Sequence, residues 1–505
     1  MAAWRRTWKG LSVALALAGG AAMRLMMLKA IPQIIGDSLL YGNLAKNILD
    51  GRFAITDTSG VAHETLIRLP GYPLFLAACF RLFGPDNYNA VSYVQIAMEL
   101  AGCLLLADFV RQVASEKAAL WTLGLAALCP FTASYAVAPL TETPTLFTIA
   151  LALWAMARFH ARPGWTSALA FTFAVTFAAL LRPDGALVGV ALVPALAWGL
   201  LWRTSGAEAQ DKGTSGSARL KSCSDTFWSR NRASAPPASR EAGNRPSLFA
   251  LLRMGLVCAV LAILPFCLWT VRNWRVFHVF EPLAPRYATD PGEALNPGWQ
   301  RWVKTWCLDF VSTSDIYWNV PGSALDLTKL PSRAFDSSAQ YAQTAALAAD
   351  YSDNGQDLSP ELDARFAALA AERVKSHPLR YYLWLPLGRL ADMSLRPRVE
   401  NLNIDLDWWV YSHHYSETRF SWAYAALNAG YLLLALAGLC FRPRYWPWMV
   451  LYFVLRSALL MTIEAPEARY TLECFPMLFA LGGIGMAGLG WKLRSAFASA
   501  PVSED

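Results

Sequence analysis

Long apolar runs recur along the chain, near residues 11–30, 90–110, 118–137, 141–160, 165–181, 184–202, 248–271, 421–440, 446–463 and 472–491. Each is long enough to cross a hydrocarbon core about 30 Å thick as a helix. No segment shows the roughly 10-residue dyad alternation of a membrane barrel. The expected fold is therefore an all-α polytopic membrane protein with about ten spans. Composition agrees, since 16% of the residues are charged where a soluble domain carries about a quarter. A net charge of +7 would suggest nucleic acid for a soluble chain; here basic residues flanking spans explain it, and no nucleic-acid partner is expected. Most of the nine cysteines, such as Cys103, Cys129 and Cys440, fall inside apolar runs, where they act as small hydrophobes rather than a disulfide framework. The first run follows "MAAWRRTWKG" but lacks a small-residue cleavage site after it, so it reads as an uncleaved span.

Charge asymmetry predicts the orientation. With Arg5, Arg6 and Lys9 inside, the inside segments include "VRQVASEK", "RFHARPGW", "FRPRYWP" and "WKLRSAF", nearly all basic. The outside segments hold most of the acids. Six regions follow: 1–202, a transmembrane catalytic module with a first outer loop at 31–89; 203–247, a basic disordered cytoplasmic linker; 248–271, a span; 272–420, a large outer region; 421–494, C-terminal spans; and 495–505, a cytoplasmic tail. "PGYPLFLAACFRLFG" (Pro70 to Gly84) is too short to cross comfortably, and "HPLRYYLWLPLGRLADMSL" (His377 to Leu395) is interrupted by Arg380, Arg389 and Asp392. Both suit helices lying at the interface.

The outer turns carry Glu142, Arg182, Asp184, Glu464, Glu467 and Arg469 close to membrane depth. Ionisable groups there are costly and face a cavity or a partner. The spans read as apolar through their middles, and no internal repeat is visible. That favours a catalytic cavity opening outward over a transport path; a multispan transporter or flippase for a lipid-linked glycan is the alternative. Asp37, in "IIGDSLLYGNLAKNILDGRF", precedes an amphipathic helix over Ser38–Leu49 that Gly51 ends. Asp37 is the expected N-cap of that helix, and at the rim of the bilayer it would also meet whatever docks there.

"GDSLLYGNLAKNILDGRF" followed by "ETLIRLPGYPLFLAACFRLFG" resembles the first outer loop of membrane glycosyltransferases of the C superfold, in particular the protein O-mannosyltransferase and lipid A aminoarabinose transferase group (glycosyltransferase family 39-like). "LTETPTLF", "LLRPDGAL", "VRNWRVFHVF", "VKSHPLRYYLWLPLGRL" and "EARYTLECFPMLFAL" are similar to the group's later motifs, in matching order. The resemblance implies a GT-C transmembrane helix bundle in a bacterial inner membrane, with both termini cytoplasmic. It implies a polyprenyl-phosphate sugar donor and a glycan, lipid or protein acceptor on the non-cytoplasmic side. Transfer with inversion needs a base, for which Asp37 is the candidate. The leaving phosphate needs guanidinium groups, for which Arg469 and Arg68 lead and Arg182 follows. Glu142, Tyr41, Tyr72 and Glu467 are candidates for positioning substrate. No cofactor is assigned, and a divalent cation is the weakly supported alternative: many relatives have two adjacent acids where this chain has Asp37 and Ser38, and a lone carboxylate gives a divalent cation few oxygens. His413 and His414 are adjacent and poorly placed to share a metal, and Trp299, Trp302 and Trp306, at helical spacing, read as packing or an interfacial anchor, with sugar stacking as the sharper alternative.

Overall fold

The computed structural model describes residues 2–31, 34, 36–211, 247–402, 404–407 and 414–498. It is helical apart from one hairpin, and the chain divides into two compact units: residues 1–290, 430–453 and 473–505, and residues 291–429 and 454–472. The elements used below are α1 (Ala2–Ala30), α2 (Asp37–Leu49), β1 (Ala54–Thr56), β2 (Ala62–Glu64), α3 (Gly71–Phe83), α4 (Tyr88–Val113), α5 (Glu116–Ala127), α6 (Pro130–Ala136), α7 (Glu142–Ala161), α8 (Trp165–Leu181), α9 (Ala186–Asp211), α10 (Leu248–Phe277), α11 (Pro297–Lys304), α12 (Ser338–Asp353), α13 (Pro360–Ser376), α14 (Leu385–Leu395), α15 (Tyr415–Cys440), α16 (Trp446–Leu460) and α17 (Phe475–Ala498).

Among the described residues, five helical segments are by themselves long and apolar enough to cross a bilayer, Gly10–Ala30, α4, α10, α15 and Ala468–Lys492, or six if α5 and α6 form one span bent by 54°. The ten apolar runs exceed this count for a physical reason. Helices such as α8 and α16, of 17 and 15 residues, rise about 1.5 Å per residue and fall short of the core thickness. Helix α7 begins with Glu142, Thr143, Thr145 and Thr148, all buried, which dilutes its apolar character.

In the first unit α4 runs against α5 and α7, α7 against α8, and α5 against α17. Small residues set the closest approaches: a Cβ on Gly438 would lie 1.9 Å from the Leu481 carbonyl oxygen, so α15 and α17 touch backbone to backbone there. The spans are not apolar throughout. Arg24 of α1 is fully buried and donates from Nε to Glu99 of α4 at 2.6 Å. Its Nη1 also donates to the Ala127 carbonyl at 2.7 Å, at the end of α5, where the break before Pro130 leaves that carbonyl without a helical partner.

The first outer loop folds as a unit. β1 and β2 pair antiparallel with Ala54 opposite Glu64. Asn43 and Asn47, one turn apart on α2, hold β1 against the helix: the Thr56 N–H donates to Asn43 Oδ1 at 2.8 Å, and Asn47 Nδ2 donates to the Ala54 carbonyl at 3.0 Å. Helix α10 runs past the expected boundary at 271, and Val279, Leu283 and Ala284 beyond it pack with Leu66, Leu69 and Trp269. The first compact unit runs through these residues to 290. Helix α9 extends through 203–211; the rest of the expected linker, 212–246, and the tail from 499 lie outside the described residues.

The second unit has its own core. Trp299 and Trp302 of α11, with Trp306, pack on Phe366 of α13 and are at most 2% exposed. The tryptophans are therefore neither interfacial anchors nor a sugar platform. Asp363 of α13 accepts from the Gly298 and Trp299 N–H groups at 3.0 and 2.8 Å, capping the start of α11. The segment ahead of α14 and α14 itself turn Leu379, Tyr382, Trp384 and Leu387 outward and bury Leu385, Arg389 and Met393. The interrupting charges sit on the inner side: Arg380 makes a two-pronged pair with Asp336 at 2.5 and 2.7 Å, and Arg389 donates to the carbonyls of Lys304 and Cys307.

Candidate active site

Helix α2 starts differently from expectation. Gly36, with φ of +44°, takes the N-cap position and Asp37 is the first helical residue. A positive φ at that point favours glycine. The Asp37 carboxylate accepts from Arg68 Nη2 at 3.1 Å, with 28% and 24% of the two side chains exposed. Arg68 reaches it because its loop is fastened behind: the Leu66 N–H donates to Asp290 at 2.8 Å, and Arg272 of α10 donates to the Thr65 and Phe53 carbonyls at 2.6 and 2.7 Å and pairs with Glu64. Just after Arg68, a Cβ on Gly71 would lie 2.5 Å from the Leu180 carbonyl oxygen, so the start of α3 abuts the end of α8.

The end of α8 carries the second charge cluster. Arg182 precedes Pro183 and is extended, with φ of −150° and ψ of 139°, as the residue before proline is driven to be. Its guanidinium lies 3.2 Å from Glu142, 3.2 Å from Asp184 and 3.0 Å from Glu473. Glu142 is 1% exposed and Glu473 fully buried; buried carboxylates of this kind require charged partners. Glu142 also lies in the first turn of α7, where the helix dipole favours a negative charge. A guanidinium ringed by three carboxylates is a poor independent phosphate ligand, so Arg182 organises acids in this geometry.

Tyr41 joins the two clusters. Burial pushes its phenol above the usual value, with Arg68 and Arg182 pulling it down and Asp37 and Glu142 pushing it up. Its ring meets Tyr72 edge-on at 4.9 Å between centroids. Tyr72 is fully buried and donates to Gln95 at 2.8 Å. Its ring therefore backs Tyr41. Glu473 was missed by sequence reasoning, although an acid opening an apolar run was the available signal; Arg24 and Glu99 were equally legible inside their runs.

In the second unit Glu467 accepts from Arg469 Nε at 2.5 Å and from the Tyr470 hydroxyl. Among the described residues no group of three or more His, Cys, Asp or Glu could hold a metal ion. His414 lies 3.7 Å from Glu417, and His413 is outside the described residues.

Residues 68–208, which contain Arg68, Glu142 and Arg182, match the family described as dolichyl-phosphate-mannose-protein mannosyltransferase. That match covers 141 of the chain's 505 residues. No curated protein matches the chain. Among solved structures, it is similar to ArnT from Cupriavidus metallidurans bound to undecaprenyl phosphate, at 15% identity and a TM-score of 0.38 over 99% of this chain and 81% of that one. It is also similar to an Archaeoglobus fulgidus oligosaccharyltransferase tethered with an acceptor peptide, at 11% identity and a TM-score of 0.48 over 98% of this chain and 51% of that one. A third similar structure is AglB from Archaeoglobus fulgidus in complex with an inhibitory peptide and a dolichol-phosphate, at 10% identity and a TM-score of 0.45 over 99% of this chain and 53% of that one. The chain thus spans about half the length of the two archaeal chains.

Proposed function

We propose that this protein is a membrane glycosyltransferase of the GT-C type that moves a sugar from a polyprenyl-phosphate carrier to an acceptor hydroxyl on the non-cytoplasmic side of a bacterial inner membrane, with inversion and with Asp37 as base. The observation that carries the reading is the Asp37–Arg68 ion pair at 3.1 Å, beside the Glu142–Arg182 pair that shares Tyr41 as a neighbour. A carboxylate and a guanidinium in mutual reach serve the two ends of one displacement. Asp37 takes the acceptor proton as the new bond to the anomeric carbon forms. The bond from that carbon to the carrier phosphate breaks, and the phosphate leaves with the electron pair, stabilised by Arg68; Arg469 of the second unit is a separate candidate for the carrier phosphate.

The pair also suggests an order of events. While Arg68 Nη2 donates to Asp37 Oδ1, that oxygen is engaged and less available to an acceptor hydroxyl. Donor phosphate competing for Arg68 releases Asp37 as the substrate arrives. Arg182 holds Glu142 in place to orient the acceptor, and Tyr41 lies between the two pairs.

The test is Asp37→Asn, assayed with a labelled polyprenyl-phosphate sugar on detergent-purified protein. Loss of a general base costs about 100- to 10,000-fold in turnover, whereas breaking a partly exposed ion pair costs about 0.2–1 kcal/mol of stability. Transfer should collapse while folding and carrier-lipid binding persist. Full activity removes Asp37 from the mechanism. If even the wild type releases no polyprenyl phosphate in detergent, a two-compartment flippase becomes the better description.

A further inference from the structure

The stretch Ala468–Cys474 winds as a 3-10 helix. Such turns hydrogen-bond poorly, and beside a bilayer an unsatisfied carbonyl is expensive. Within the second unit two buried arginines supply donors. Arg456 of α16, fully buried, donates from Nε and Nη2 to the Tyr470 carbonyl at 3.1 and 2.7 Å. Arg398, 5% exposed, donates from Nη1 to the Ala468 carbonyl at 2.7 Å and from Nη2 to the Thr471 hydroxyl. The carbonyls immediately before and after Arg469 are thus each gripped by a guanidinium. Arg469 itself, 21% exposed, reaches Glu467 at 2.5 Å and lies 5.6 Å from the centre of the Tyr470 ring.

We propose that Arg398 and Arg456 are positioning residues for Arg469: by fixing the peptide carbonyls on both sides of it, they fix the direction in which its guanidinium leaves the chain. The inference rests on the assignment of Arg469 to the carrier phosphate. Its physical basis is the planar fork of arginine, which can place two N–H bonds on one oxygen and resist rotation about it. Arg456 does this at Tyr470. A lysine would supply the charge and one donor without the planar constraint. Small displacements of an oriented group are costly, on the order of 100-fold for about 1 Å.

The experiment uses full-length protein in detergent with undecaprenyl phosphate as a competing ligand, and reads its inhibition constant beside kcat and the unfolding temperature. Arg456→Gln and Arg398→Gln should each raise that constant on the order of 10-fold in protein that still unfolds cooperatively, with Arg456→Lys and Arg398→Lys in between. In an Arg469→Ala background, Arg456→Gln should add nothing further, because its effect runs through the missing side chain. A full additional loss in that background overturns the proposal, as does unchanged inhibition in folded single variants. Where a glutamine variant does not fold, the lysine variant decides: wild-type inhibition counts against positioning. If Arg469→Ala leaves inhibition unaltered, the phosphate assignment and this inference fall together. If Arg469→Ala weakens inhibition and both clamp variants do not, the inference alone falls.

Discussion

The buried pair between Arg24 and Glu99 makes a quantitative prediction about how the spans hold together. The two groups are 2.6 Å apart and 0% and 5% exposed, and Arg24 also serves the Gly20 and Ala127 carbonyls at 2.9 and 2.7 Å. Removing one member of a buried pair strands the other charge, at a cost of about 3–5 kcal/mol. Glu99→Leu should fall in that range. Arg24→Met should cost at least as much, because the Ala127 carbonyl at the α5–α6 break also loses its donor, adding about 1–3 kcal/mol. The double variant has no stranded charge and should lose only the carbonyl contribution, about 1–3 kcal/mol, which is less than either single change. The assay is equilibrium unfolding in mixed detergent and SDS micelles for the four proteins of the cycle, with unfolding followed by tryptophan fluorescence. Losses that simply add, giving a double variant worse than both singles, would refute the claim that the pair's stability lies in mutual neutralisation.

Two further outcomes follow from single positions. A Cβ on Gly185 would sit 2.0 Å from the Ala178 carbonyl oxygen, so Gly185→Ala must push the Pro183–Gly185 turn off α8; a cost of about 1–3 kcal/mol and reduced transfer are expected, measured as unfolding and turnover of the same preparation. Burial pushes the Glu400 carboxyl up to about 6 against the pull of Arg398 and Arg396, and its buried Oε1 has no hydrogen-bond partner among the described residues. The folded state then binds more protons than the unfolded state between the ordinary glutamate value and about 6, so stability falls as pH rises through that window and stays lower above it. Glu400→Gln should flatten this dependence and raise stability at pH 8 by about 2 kcal/mol, read from melting curves at pH 5 and pH 8; an unchanged profile would show that Glu400 is not the titrating group.

The sequence made the membrane class, the amphipathic helix after Asp37 and the outward gathering of charge legible, because each depends on periodicity or on charge counted over segments. What it hid depends on which residues meet across space. Asp37 read as a cap because Asp before a helix usually caps; Gly36, with its positive φ, displaced it, and no local pattern distinguishes those two starts. The β1–β2 hairpin had a local signal in "TDTSG", where Asp57 Oδ1 accepts from the Ser59 and Val61 N–H groups, but its strands are only three residues long and depend on Asn43 and Asn47 for support. The tryptophans left packing and interfacial anchoring both open, because helical spacing of Trp suits either in a membrane chain; that they pack follows from α13 lying over α11, a long-range contact.

The charges of the first unit bear on how a phosphate could bind at all. Within this unit Arg68 already has Asp37, and Arg182 already has Glu142, Asp184 and Glu473. An arriving phosphate must therefore displace a carboxylate from a guanidinium. At Arg182 that displacement would leave Glu142 and Glu473 buried beside a competing anion, with several kcal/mol of desolvation opposing it. At Arg68 the displaced carboxylate is Asp37, which is 28% exposed and can be solvated or can accept a proton from the incoming hydroxyl. The two pairs therefore divide the work: one is built to hold and the other to exchange. Arg68→Gln should for that reason weaken carrier-phosphate inhibition and leave Asp37 unmasked, while Arg182→Gln should destabilise the protein before it alters donor affinity. Equal losses of stability in the two variants would contradict this division.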